Sequence, residues 1–139
     1  MRKFVMVLCL GLLSCSVVAD DDADQGIISY RQNVMKSAAG HLAAVKYLFK
    51  DNLALKGHLQ KHANALADFA TLLPDMFPEG SDFGDTDAKM AVWEKPDVFQ
   101  EKVENFGKVT RAFAANPTEA AFADVGKACK ACHKEFREE

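Results

Sequence analysis

Apolar residues in this chain recur three and four positions apart in four separate segments, and between those segments the pattern stops. That period is the one an α-helix presents on a single face, so each segment reads as a helix with one stripe to bury. The first stripe holds Ile28, Met35, Ala38, Leu42, Val45 and Phe49, with Arg31 as its only charged member. The second holds Leu55, Leu59, His62, Leu66, Phe69 and Leu73, and the third Phe99, Val103, Phe106, Thr110 and Phe113. Phe122, Val125, Cys129, Cys132 and Phe136 make the fourth. Between Pro74 and Pro96 the stretch "PDMFPEGSDFGDTD" is rich in Pro, Gly, Asp and Ser and reads as the one long connection. Ahead of the fourth helix, Asn116 reads as the cap, Pro117 as the first helical residue and Glu119 as the closing member of a capping box. No alternating β-branched run or Asn-Gly hairpin competes. The pattern predicts an all-α, antiparallel four-helix bundle, an architecture whose interior commonly holds a cofactor.

The chain has 139 residues, enough for one domain around one core. It opens on "MRKFVMVLCLGLLSCSVVADDD", with basic Arg2 and Lys3, an apolar run from Phe4 to Leu13 and the small-residue exit Val17-Val18-Ala19. That order reads as a secretory signal over 1–19, with the functional domain at 20–139 and a periplasmic destination. The run is too short to span a membrane comfortably. An alternative takes "LLSC" as a lipoprotein signal acylated at Cys15, although Leu13 is bulky for such a site. With 17 Lys and Arg against 20 Asp and Glu, the net charge is −3, and removal of the leader makes the balance more acidic. No basic patch offers the counterion release that drives nucleic-acid binding, so a nucleic-acid partner is not expected.

Removal of the leader would also take away Cys9 and Cys15 and leave only Cys129 and Cys132, inside "GKACKACHKEF". On a helix, residues three and four apart share a face, so both thiols and His133 can reach one flat object laid against it. Cys-x-x-Cys-His reads as attachment of one c-type haem, the thiols adding across the vinyl groups as thioethers and the imidazole binding iron. Structural zinc needs four ligands, and no second pair exists. A thioredoxin-like pair would need a βαβ context, and a disulfide across one helical turn would be strained and leave His133 idle. The second axial position stays open in this reading among Met35, His41, His58, His62 and no protein ligand. Met35 and His62 lie on inward stripes, whereas His41 and His58 fall toward solvent.

Beyond these motifs, the chain resembles the cytochromes c′ (c-prime), class II c-type cytochromes. The likeness rests on "YRQNVMKSAAGHLAAVK", "MFPEGS", "VWEKPDVF" and "GKACKACHKEFR", with the haem motif at the extreme C-terminus and Arg-x-x-x-Met in the first helix. It implies a left-handed four-helix bundle, a homodimer, and a high-spin, pentacoordinate haem. In that resemblance Cys129 and Cys132 match the thioether positions, His133 the proximal ligand, and Met35 the bulky residue over the distal face. Arg31 matches a residue near a haem propionate, and Arg137 a basic residue close to the proximal face, with plain complementation of the helix C-terminus as its alternative. Phe77 and Trp93 match aromatics near the haem edge, where simple core packing also accounts for them.

The resemblance implies binding of nitric oxide and carbon monoxide, in nitric oxide sequestration or detoxification. A low-spin sister group places a first-helix methionine on iron, so the alternative is a periplasmic electron carrier with His133 and Met35 as axial ligands. A peroxidase-like enzyme would need a distal His and Arg pair that is not in place, so no enzymatic turnover is expected. The redox partner is not identified by the residues.

Overall fold

The computed structural model describes residues 21–55 and 57–138. The expected leader over 1–19, with Cys9 and Cys15, and the first residue of the expected domain lie outside the described residues. Helix α1 spans Asp21–Lys50, α2 His58–Leu72, α3 Ala91–Glu94, α4 Pro96–Ala115 and α5 Glu119–Phe136. No strand occurs among the described residues; Ala88 and Arg137 form one isolated antiparallel bridge. None of the described helices is long and apolar enough to cross a membrane.

Local chemistry sets the ends of these helices. Gly57 sits at φ 75°, a left-handed conformation that costs glycine little, and α2 starts only after it. Leu55 therefore stands ahead of the helix at 50% exposure instead of leading the second stripe. The far end of α2 tightens into a 3-10 turn, Leu73–Met76, with Pro74 near its start. Pro96 opens α4, where its missing N–H is no loss. At α5 the cap is Thr118 and not Asn116: Thr118 is extended, and its hydroxyl accepts from Ala121 N at 3.3 Å. Asn116 instead closes α4 through its own N–H to Ala112 O, because a residue before proline is pushed out of the helical region.

The four long helices pack as a ring. Helix α1 lies against α2, α2 against α4, and α4 against α5. Each supplies a side chain of zero exposure to one shared cluster: Val45, Leu66, Phe113 and Val125. Fully burying one such side chain is worth about 1.5–3 kcal/mol, so this layer is a main anchor of the bundle. Thr110, also fully buried, satisfies its hydroxyl on Phe106 O at 2.9 Å and Gly107 O at 3.1 Å. The fourth side of the ring closes at one end only, where Phe49 of α1 meets Phe122 of α5 with ring centroids 5.9 Å apart. Toward the other end α1 and α5 diverge around a cavity lined by both.

Candidate haem site

The cavity holds about 600 Å³. Helix α1 offers Met35, Ala38, Ala39 and Leu42, the floor is Phe69, Leu73, Val103 and Phe106, and α5 offers Cys129, Cys132, His133 and Phe136. The predicted attachment face thus turns inward, because Val125, Ala128 and Phe136 bury the same side of α5. Cys129 and Cys132 are half-buried and unbridged. Burial pushes the Cys132 thiol up to about 11, the neighbouring Cys129 and Glu135 adding to the rise and Lys102 opposing it. Burial likewise raises Cys129, against a lowering backbone hydrogen bond. Both shifts keep these sulfurs as neutral thiols, unlike the lowered thiol of a reactive redox pair. His133 is held below its usual value, first by desolvation and then by Arg137, so its imidazole is neutral, the form that ligates a metal.

Arg31 supplies an independent test of fit. It is 3% exposed, yet none of the ion pairs among the described residues includes it. Its Nη1 donates to Met76 O at 3.2 Å and Ser81 Oγ at 3.0 Å, and its Nη2 to Ser81 O at 3.0 Å and Thr86 Oγ1 at 2.8 Å. The guanidinium carbon lies 4.7 Å from the Phe77 ring centroid and 5.9 Å from that of Trp93. Desolvation lowers its pKa. A buried cation with neutral partners only, at the wall of an apolar cavity, calls for an anion there, and a haem propionate answers that need. With paired thiols, a neutral imidazole, a largely apolar lining and this cation, the residues fit a covalent c-type haem.

Of the candidate second ligands, only Met35 lines the cavity. His58 is exposed at the start of α2. His41 does not point to solvent as its position off the stripe suggested: it is half-buried, and its Nδ1 lies 2.8 Å from Nδ1 of His62. The two imidazoles engage each other across α1 and α2, and neither lines the cavity. Phe77 reaches the cavity wall and stacks edge-on against Phe99 at 4.9 Å. Trp93 does not reach that wall; it stands beside Phe77 and donates Nε1–H to Pro78 O at 2.9 Å. Arg137 lines the cavity mouth from an exposed position and pairs with Asp87 at 3.3 Å.

The sequence reading missed the segment Asp85–Ala88, which forms part of the cavity wall. It is tied to the C-terminus by Lys89 N to Phe136 O at 3.0 Å and Glu138 N to Asp87 O at 2.8 Å. Ser81 and Thr86 were missed as well; the only signal for them was that a buried arginine needs several acceptors.

These features define a helical-bundle c-type haem protein. Residues 26–137 match the family model for cytochrome C′. The chain is 34% identical over 122 residues to a cytochrome c′ of Pararhodospirillum photometricum, covering 82% of this chain and 98% of that protein. It is 30% identical over 145 residues to a cytochrome c′ of Rhodospirillum rubrum, covering 99% of each. The solved cytochrome c prime of Shewanella frigidimarina superposes with a TM-score of 0.77 at 26% identity, covering 84% of this chain and 97% of that one. The chain belongs to the cytochrome c′ family, whose members are four-helix bundles carrying covalently bound c-type haem, and Cys129-x-x-Cys132-His133 is its attachment motif.

Proposed function

We propose that this chain is an exported, periplasmic haem protein that takes up nitric oxide and carbon monoxide on the Met35 face of the cavity, serving nitric oxide sequestration or detoxification. The bound haem supplies an iron with one coordination position beyond the His133 imidazole. The observation that carries the reading is the stretch of α1 wall formed by Met35, Ala38, Ala39 and Leu42, which present no hydrogen-bond donor. Of the donors that α1 adds to the lining, Arg31 and Gln32 are engaged by Met76, Ser81, Thr86 and Asp85, and Lys36 is exposed. Dioxygen gains from a donor and is disfavoured against such a surface, while less polar diatomics lose nothing. Met35, the longest of the four, crowds the position and admits only a small ligand that can push it aside. A cytochrome c prime of the same fold, from Alcaligenes xylosoxidans, has been solved as a nitric oxide complex in two variants. The proposed role is binding without turnover; in support, His41 and His62 are engaged with each other off the cavity wall, which leaves a peroxidase-like distal His and Arg pair without its histidine. A homodimer accompanies this reading, and sedimentation of the haem-loaded protein checks it.

A second reading rests on the placement of Met35 itself. Because it alone among Met35, His41, His58 and His62 shares the cavity with His133, its thioether is the candidate placed to act as a second axial ligand. Met/His ligation raises the potential and would make the chain an electron carrier for a redox partner not yet identified. Optical and resonance Raman spectra of the haem-loaded protein, ferric and ferrous, with and without nitric oxide, separate the two. High-spin five-coordinate bands that respond readily to the gas establish the first reading; low-spin six-coordinate bands that resist it establish the second.

A further inference from the structure

Outside the haem cavity, one cluster of ligand-type side chains remains without a task. His41 of α1 and His62 of α2, 21 positions apart in sequence, bring their Nδ1 atoms to 2.8 Å. The rings are tilted by 58° with centroids 5.1 Å apart, so they meet through their nitrogens and not through stacked faces. Both are half-buried, each followed one turn later by a fully buried anchor, Val45 after His41 and Leu66 after His62. An inter-helix hydrogen bond accounts for the contact in the metal-free state, one nitrogen donating and the other accepting.

The geometry points to a second role: His41 and His62 form a two-nitrogen chelate for a divalent transition metal of tetragonal preference, copper(II) foremost. Two nitrogens at about 2.0–2.1 Å from a metal and at right angles to each other lie about 2.9 Å apart, whereas a tetrahedral site separates them to roughly 3.3 Å. The observed separation matches the right-angled value and would have to open for zinc; to bind, the shared proton leaves Nδ1 for Nε2 or solvent and the rings turn so that both lone pairs converge on the metal. Square-planar and tetragonal nitrogen sites favour Cu(II) or Ni(II), and copper heads the affinity order for such ligands. No third His, Cys, Asp or Glu joins the pair as a ready metal ligand among the described residues, so water takes the remaining positions. The site would clip the first two helices of the bundle together away from the haem.

The test uses ferric, haem-loaded protein titrated with Cu²⁺, read by calorimetry and by electron paramagnetic resonance with resolution of nitrogen couplings. A single copper per chain carrying two imidazole nitrogens is the expected result. His41→Ala and His62→Ala should each weaken binding by about tenfold or more, with an unaltered haem spectrum and helical content showing that the bundle remains intact. Should either variant unfold, the nitrogen count on the unmodified protein decides alone. Copper bound through fewer than two imidazole nitrogens, or binding retained by both folded variants, overturns the site.

Discussion

Met35 and Arg31 sit one turn apart on α1 and face the same cavity, yet their chemistry divides the site between them. Under the steric reading of Met35, Met35→Ala should speed and tighten nitric oxide and carbon monoxide binding, by about tenfold for each 1.4 kcal/mol of crowding relieved. Stopped-flow or flash-photolysis rates equal to those of the unaltered protein would remove Met35 as a gate. Arg31 gathers Met76, Ser81 and Thr86 around one charge, a task for the forked geometry of a guanidinium. Arg31→Met should lower unfolding stability by about 1.5–3 kcal/mol, the scale of losing hydrogen bonds to a charged group. Urea titration measures that loss, and limited proteolysis should find new cleavage between residues 77 and 88. A lysine at this position would restore the charge without the fork and should not rescue the connection. At this scale the cysteines and His133 were legible because helix geometry aligns neighbours three and four apart. The partners of Arg31 were not, since they lie in the aperiodic connection about fifty positions away in sequence.

Among the helices, capping and the α1–α2 contact yield separable expectations. Thr118→Ala should cost about 1 kcal/mol by removing the α5 cap, whereas Asn116→Ala should cost less, because Asn116 contributes no side-chain cap. Thermal or urea unfolding of the two variants side by side checks the order. Burial first, and then His41 and His58, hold His62 below its ordinary value of 6.5. The folded chain therefore binds fewer protons there than the unfolded chain. Stability from this group is complete above that value and is lost as pH falls through the lower folded value. In chelator-containing buffer, melting temperature should decline as pH drops below 6.5, and His62→Gln should flatten that decline. Helix existence was legible from periodicity, while ends were less so. Gly57 and Pro117 govern where the turns fall: Leu55 stands ahead of α2 and Asn116 leaves α4 for backbone reasons that an apolar stripe does not register.

Across the whole bundle, the layer of Val45, Leu66, Phe113 and Val125 and the haem cavity occupy opposite parts of one interior. Phe113→Ala should cost about 3–5 kcal/mol, seen as a lowered denaturation midpoint with the haem spectrum unchanged in the folded protein. Without haem, the open side between α1 and α5 loses its filling. Amide exchange in the haem-free protein should accelerate around Arg31–Ala39 and Cys129–Phe136, and far less beside Phe49 and Phe122. The residues alone determined an all-helical chain with one long connection and one haem-attachment motif, because helical period and three-residue spacing are local properties of the backbone. Only the tertiary structure decided that His41 and His62 face each other, that Trp93 stands off the cavity wall and that Arg31 is buried without a carboxylate. Those facts depend on the path by which distant segments meet, and that path is set by packing of whole helices, which no local spacing encodes.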